Sequence, residues 1–504
     1  MFRSIASRIT KDKDYPDRTF TLEVYDRILE GAFYDHLESG FHQEMSAANE
    51  YVPLRDRRPS VRYGLCKLVV DDSVALLFSE GHFPTAECSD EPVKEALADL
   101  IKDMKLNQVM LETATTGSVG SVALHLRILA QDDGRYRPFV EIKRTSYLTP
   151  TYDPKAPDRL IKVREQYKVT GEALRERGYS VEDSDLPAWF WFAREWDSLA
   201  ETWFLPWKLK DTEAKPDQID TARTVTHSLG FVPWLWIRNL PGDLKLLEMQ
   251  QNGSRLRFSD IDGACTFAGA IDAMIEIDYQ LSQAGRGLKY SMDPLLMIKE
   301  PAATAEGFVR SPANAMLVGE KGDARLLEIG GSAFTVVLDY VRALRELGLE
   351  SVHGNRTDPQ KLSAATSGRA MELMNQALIW LADKLRVSYG EGALLSLLKM
   401  VIAAHQKYPL TVKGKQFPKI PESCEVTLRW PAWYHPTSTD RRDIATTLST
   451  HKNAGHMSRE TAVKTIAADY DVEDVKAELA RIEADQTAEV ALVPAPKGQV
   501  KTEV

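Results

Sequence analysis

The sequence predicts an α+β fold, with helices and an antiparallel sheet in separate stretches of the chain, and three observations carry that expectation. Apolar residues recur at three- and four-residue spacing through residues 20–113 and again beyond residue 259. Between 118 and 243 the period is two, in short runs rich in β-branched and aromatic residues. A long amphipathic stretch at 363–405, containing SGRAMELMNQALIWLADKLRVSYGEGALLSLLKMVIAAH, then organises what remains.

In chain order, residues 20–49 and 64–80 (GLCKLVVDDSVALLFSE) read as helices. Residues 91–113 read as a third, with Leu97, Leu100, Ile101 and Met104 on one face. From Ser118 the runs VALHLRILA, FVEIKRTSYL, IKVREQYKVT, AWFWFAREW, ETWFLPWKL and ARTVTHSL are strands of a mostly antiparallel sheet, divided by Asp, Gly and Pro clusters. GFVPWLWIRNLPGD supplies the strand and turn that close it.

Residues 259–292 read as a helix capped by Ser259 or Asp260 and ended by Asp293-Pro294, since a residue before proline is pushed out of the α region. Its first half holds Gly263, Ala264, Ala268, Gly269, Ala270 and Ala273. Such small residues suit close approach to a helix of the same domain or to a neighbouring subunit, and the sequence leaves both open. LLMIK, AMLVG and ARLLEIG make a small β-rich insertion over 294–331, and FTVVLDYVRALRELGL (334–349) a second helix.

The linker ESVHGNRTDPQKL (350–362) gathers the turn formers Gly354, Asn355, Asp358 and Pro359 with the cations Arg356 and Lys361, so a mobile basic loop is expected. In the stretch 363–405, Leu373, Ala377, Trp380, Leu381, Leu385, Leu394, Leu397, Leu398 and Val401 mark one long helix, roughly 60 Å, kinked at Gly390 and Gly392. A strand VTLRWPAW (426–433) follows. Two helical patterns then lie within 441–483, the first capped by Ser458 with Glu460 and Thr461 behind it. The tail 487–504, short of bulky apolar residues, is expected to be disordered.

Composition excludes some classes. A chain of 504 residues is too long for one core and implies two to four regions. With 63 Lys and Arg against 73 Asp and Glu, the net charge of −10 argues against a protein that grips nucleic acid by neutralising phosphates. The 4 cysteines, Cys66, Cys88, Cys265 and Cys424, stand far apart, so neither a disulfide framework nor a zinc cluster is expected, and a reducing compartment fits. The opening MFRSIASRITKDKDYPDRTF lacks the apolar core of a signal peptide, and no membrane span is expected.

The chemical motifs are nearly empty. No phosphate-binding loop, H-E-x-x-H or dinucleotide fingerprint occurs, and no cofactor is expected. TGSVGS at 116–121 departs from a hydrolase elbow and reads as a tight turn into a strand. Asp260, Asp262 and Gly263 resemble a fragment of a calcium loop without its bidentate acid, and a helix cap explains them. Asp272, Glu276 and Asp278 fit a solvated helix face better than an acid–base pair. The aromatic run Trp189, Phe190, Trp191, Phe192, Trp196, Trp203, Phe204 and Trp207 alternates with strand period, which favours packing over base stacking. His82, His227 and His435 show no ligand spacing and read as structural.

The order of these elements, with several phrases, resembles the portal proteins of tailed bacteriophages, siphophage type. The phrases are YGLCKLVVDDSVALLFSEG, GSVALHLRI, LTPTYD, GFVPWLWIRNLPG, SDIDG opening a helix, DPLLMIK, SGRAMELM, YGEGALLSLLKMVI, VTLRWP and AGHMSRETAVKTI. Each alone is weak, but they are collinear from about Leu22 to Asp485. The resemblance implies a portal fold with an α/β wing (1–256), a helical stem (257–293 and 332–349) and a small β-rich clip (294–331). It further implies a tunnel loop (350–362), a long wing helix (363–406), a C-terminal wing and helical crown (407–486) and the disordered tail.

The function so implied is a ring of about twelve subunits at one capsid vertex, the channel through which double-stranded DNA is packaged and ejected without sequence specificity. Implied partners are the terminase large subunit, a head-completion or adaptor protein, and the major capsid and scaffolding proteins. The location is the virion, with the host cytoplasm during assembly. His353, Arg356 and Lys361 would face DNA from the tunnel loop, Asp272 and Glu276 the stem channel, and Glu306, Arg310, Lys321 and Arg325 the clip's partners. An acidic assembly repels phosphates, which suits a low-friction conduit. No ATP site is visible, so no enzyme activity is expected and a partner motor must do the work. The competing expectations are another ring-forming virion protein, adaptor or scaffold, and a hydrolase using Asp272 and Glu276.

Overall fold

The computed structural model describes residues 1–132, 134–209, 216–245, 247, 261–292, 295–301, 318–327, 332–354, 368–419, 424–434, 437–467, 472 and 475–492. The fold is mixed α and β, as expected. It divides into two units: the first comprises Met1–Arg356 with Ala377–Pro431, the second Thr357–Gln376 with Ala432–Val504.

The first unit opens with the short helix α1 (Phe2–Ala6) and α2 (Asp17–Leu29). The sequence predicts one helix through residue 49, but α2 stops twenty residues earlier. Gly31, at φ +76°, takes the left-handed position of a helix cap. The Ala32 N–H then bonds Arg27 O (2.8 Å) and the Gly31 N–H bonds Ile28 O (3.2 Å), which closes the last turn. A two-residue parallel pair, β1 (Ser39–Gly40) and β2 (Arg57–Arg58), follows.

Helix α3 (Leu65–Phe78) is the core helix, burying Leu65, Cys66, Val69, Val70, Val74, Leu77 and Phe78. After β3 (Thr85–Glu87), the expected third helix proves to be two, α4 (Glu91–Asp103) and α5 (Leu106–Gly117). Lys105 interrupts them at φ +50°, and the break lets Leu97 and Leu100 on one side and Leu106 and Met110 on the other all reach the core.

The period-two region forms two antiparallel sheets. Strands β4 (Ser121–Ala130), β5 (Tyr136–Arg144) and β12 (Trp234–Arg238) make the first, in order β12-β4-β5. In the second, β6 (Leu148–Asp153), β7 (Ala156–Thr170), β8 (Trp189–Trp196), β9 (Ala200–Trp203) and β11 (Val225–Thr226) are neighbours in the order β11-β9-β8-β7-β6. There β10 (Trp207–Lys208) also pairs with β8, and the short helix α6 (Gly171–Glu176) follows β7. Ala123, Leu148, Val163, Trp196, Val232 and Trp234 pack together as one buried cluster; of the aromatic run, Phe192, Trp196 and Phe204 are buried and Phe190, Trp191, Trp203 and Trp207 partly so. Phe192 joins Val169 and Leu174 in another, while Trp189 stays exposed.

The helix expected from residue 259 begins later. A 3-10 turn, Ala268–Ala270, leads into α7 (Ile271–Met292), and Asp262 is not its cap; the cap candidates Ser259 and Asp260 lie outside the described residues. Strands β13 (Leu295–Pro301) and β14 (Val318–Leu327) pair antiparallel, Leu295 opposite Leu327, in the expected β insertion. Helix α8 (Ser332–Ser351) returns and packs on α7.

The long amphipathic stretch is a segmented helix. Gly368–Met374 (α9) falls in the second unit. Gln376–Leu385 (α10), a π-helical turn at Arg386–Leu395 and Ser396–His405 (α11) then run on without interruption. By length and composition alone that run could cross a membrane; here half of its most apolar window is buried, with Leu378, Ile379, Leu385, Leu397 and Val401 in the core. The π turn replaces the kink expected at Gly390 and Gly392. The hairpin β15 (Thr411–Val412) and β16 (Lys415–Gln416) follows, and β17 (Thr427–Arg429) pairs with β3, shorter than the strand expected over 426–433.

Contrary to the sequence expectation, Cys88 and Cys424 are joined as a disulfide beside this pair, with Cα atoms 6.2 Å apart. Spacing along the chain carried no hint of it because the partners are 336 residues apart.

In the second unit, α12 (Ser438–Asn453) is held by a capping box between Thr437 and Asp440. Helix α13 (Arg459–Ile466) is capped by Ser458, whose hydroxyl accepts from the Thr461 N–H, as the sequence predicts. Helix α14 (Val475–Leu492) extends into the tail expected to be disordered, and residues 493–504 lie outside the described residues.

Candidate functional site

Of the residues that the sequence singled out, Asp272, Glu276, Lys321, Arg325 and His353 fall on or directly after the elements α7, β14 and α8, and the geometry of this region starts at a buried polar hub. Arg18 of α2 is sunk in the core and grips Asp262 with two donors, Nη2 to Oδ1 at 2.8 Å and Nε to Oδ2. Its Nη1 donates to the carbonyls of Thr145 (2.8 Å) and Leu148 (3.3 Å). Ser121 donates to the same carboxylate and shares a 2.7 Å bond with the Thr145 hydroxyl. A buried ion pair is tolerable only where such further bonds satisfy both charges.

Asn239, at the end of β12, completes the hub. Its amide donates to Ala264 O (2.8 Å) and the Thr266 hydroxyl (2.8 Å), and its Oδ1 accepts from the Tyr389 phenol at 2.9 Å. The Ser388 hydroxyl donates to the Asn239 carbonyl. These bonds explain the π turn: Ser388 and Tyr389 both have to reach one residue, and Gly390 leaves the space that Trp430 fills. TGSVGS is a structural turn: besides the Ser121 hydroxyl at the hub it supplies backbone acceptors. Gly120 (φ +155°) accepts from the N–H groups of Asn239 and Gly263, each at 3.0 Å. The segment leading into α7 is thus tied to α2, both sheets and the π turn at once.

The small residues serve this same unit. A side chain at Gly263 would strike the Leu240 backbone, and one at Gly269 would crowd Ser351 and Val352. Where α8 crosses, Gly348 lies against Leu65 and Ala273. Close approach within the unit is therefore what these positions provide.

Along α7 the three acids part company. Asp272 is exposed on the first turn, where it accepts the Phe2 N–H at 3.1 Å, and a carboxylate there suits the positive end of the helix. Glu276 accepts from Gln280 Nε2 at 2.8 Å. Asp278, expected on a solvated face, is instead buried, accepting from the Tyr34 phenol (2.9 Å) and the Tyr63 N–H (2.7 Å). Burial pushes its carboxyl up to about 6, against the pull of those donors and of Arg62. The sequence did hold the signal: Asp278 continues the apolar stripe of Ile271 and Ile275 at helical spacing.

Helix α8 ends in a cap built on His353. The Gly354 N–H bonds Leu349 O at 2.8 Å and the His353 N–H bonds Glu350 O at 3.2 Å, with His353 itself left-handed at φ 56°. Its ring is exposed at the helix end; of the loop expected over 350–362, residues 350–354 form the end of α8 and its cap, and 355–362 lie outside the described residues. Arg356 and Lys361 lie outside the described residues, as do Glu306 and Arg310. Lys321 and Arg325 fall on β14, Arg325 opposite Met297.

The outer face of α8 was not singled out from the sequence. Val336, Tyr340, Ala343 and Leu347 recur at i, i+4, i+7 and i+11, and all four are exposed. Val336 is 68%, Tyr340 46% and Leu347 61% accessible, which is unusual for a run of apolar residues on one helix face. Asp339 and Arg342 flank the stripe as an ion pair at 3.1 Å. Elsewhere His82 bonds Ser79 (2.8 Å) and His227 accepts the Leu229 N–H (3.2 Å), structural roles as expected; His435 lies outside the described residues.

No protein-family model and no curated protein matches the chain. Among solved structures it is similar to a chain of the virion of a native gene transfer agent particle, at 11% identity and a TM-score of 0.34, covering 80% of this chain and 88% of that one.

Proposed function

We propose that this chain is the portal subunit of a tailed-phage-like particle: a virion protein that closes into a ring of about twelve copies. In this reading the ring is the channel for double-stranded DNA at one capsid vertex. The hairpin β13–β14 docks the terminase large subunit during filling and a head-completion or adaptor protein afterwards, and the capsid and scaffolding proteins hold the rim. The chain itself performs no chemistry.

The observation that carries the reading is the apolar stripe on α8. A two-helix arm rooted in a buried polar hub presents Val336, Tyr340 and Leu347 to solvent, and burying the exposed parts of Val336 and Leu347 against a neighbouring copy is worth about 1–2 kcal/mol each. A head-to-tail interface of this kind generates closed rings when its rotation closes. The net charge of −10, repeated around such a ring, gives DNA a wall it slides past. Asp272 and Glu276 are occupied by Phe2 and Gln280, so no specific observation favours a hydrolase.

The test is substitution of the stripe. Val336→Asp with Leu347→Asp leaves the thermal melt of the single chain unchanged and prevents assembly, read by sedimentation velocity. Assembly of normal size in that variant would overturn the reading.

A further inference from the structure

The disulfide is the feature that neither the core nor the ring reading uses. Strand β17 is held to β3 by three residue pairs, Thr427 with Glu87, Leu428 with Ala86 and Arg429 with Thr85. The exposed ion pair of Arg429 and Glu87 (3.2 Å) adds little to it. A two-stranded ribbon so short is marginal by itself. It lies close to the end of the first unit, which closes two residues beyond β17, at Pro431.

Cys88 follows β3 directly and Cys424 precedes β17 by three positions, so the bond lies at one end of the ribbon. Both are partly exposed and within reach of a small thiol. Cys66 and Cys265 are buried, and burial pushes both thiols well up, Cys265 to about 12. Thiol exchange is therefore confined to one pair.

We propose that Cys88 and Cys424 form a redox-dependent clasp: oxidised, it fixes β17, and with it the end of the first unit, to β3; reduced, it leaves β17 to its three-residue pairing and to the packing of the flanking Val426 and Trp430. Closing the clasp takes two thiols to one disulfide with loss of two protons and two electrons. The oxidant is a small-molecule disulfide such as oxidised glutathione, which leaves as two thiols. One cysteine thiolate attacks it to give a mixed disulfide, and the other displaces the second glutathione. The clasp closes a loop spanning 336 residues, the length regime in which a cross-link restricts the open chain most. This proposal is independent of the ring reading.

The experiment uses the full chain equilibrated in glutathione buffers from fully reduced to fully oxidised. Maleimide labelling with peptide mass spectrometry is read together with hydrogen exchange over residues 424–431. The expected result is a linked Cys88–Cys424 peptide at the oxidised end, with Cys66 and Cys265 unlabelled until the chain unfolds. Exchange in β17 slows at least about tenfold on oxidation, the change a local opening shows when it becomes about 1.4 kcal/mol harder. Cys88→Ser with Cys424→Ser gives the faster exchange in every buffer. Free, labelled Cys88 and Cys424 in oxidised buffer would overturn the proposal. So would a linked peptide with unchanged β17 exchange, or redox-dependent exchange that persists in the double variant.

Discussion

Tyr389 donates a 2.9 Å hydrogen bond from its phenol to Oδ1 of Asn239, joining the π turn to the end of β12 across 150 residues of sequence. Both side chains are buried, and the same asparagine holds the segment that leads into α7. The Asn239 amide is thus one of the links, beside the Arg18–Asp262 pair, that tie the segment leading into α7 to the sheets and the long helix.

Removing that phenol leaves a buried acceptor short of a donor. Tyr389→Phe is expected to destabilise the first unit by about 1–3 kcal/mol in urea unfolding. Gly117→Ala, which drives a methyl into the same hydroxyl, is expected to cost at least as much.

His353 occupies a left-handed cap position at φ 56°, where glycine meets no steric penalty. His353→Gly is expected to stabilise by about 1 kcal/mol, and His353→Val to destabilise, both read as shifts in melting temperature.

Asp278 gives a pH signature. Its folded carboxyl is raised to about 6 from the ordinary 3.8, so the folded state holds the proton more tightly than the unfolded chain. Its contribution favours folding increasingly as pH falls from 6 toward 4 and is lost as pH rises through 6. Asp26, raised to about 6 by burial, acts in the same sense, and His125, pushed down by burial, in the opposite one. Calorimetry of Asp278→Asn between pH 4 and 7.5 should show a flatter stability profile than the unaltered chain, with the advantage of the variant largest at neutral pH.

Arg356 and Lys361 follow α8 and its His353 cap. If they meet the DNA backbone, alanine at both lowers DNA retention in filled particles and weakens its salt dependence, with ring mass unchanged. Unaltered retention would contradict that role.

Much of the fold was legible because its cause is local. The stripe of α3, the alternation of β7 and β8 and the Ser458 cap all follow from residues within a few positions of one another. What was missed depends on partners far apart. Arg18 meets Asp262 across 244 residues and Cys88 meets Cys424 across 336, and no spacing rule links them. Asp262 looked like a cap because acids before a helix usually are. The end of α2 at Gly31 and the break at Lys105 are conformational choices that apolar periodicity does not register. For the candidate site, the order of helix, β insertion and helix was readable, whereas the outward direction of Val336, Tyr340 and Leu347 needed the position of α7.

The central claim is a ring, and native mass spectrometry of the full chain with negative-stain imaging, in the presence of scaffolding protein, tests it most directly. The account predicts a single assembly of about twelve copies with a central hole wide enough for duplex DNA. A monomer or dimer that persists at high concentration with scaffold present would contradict it.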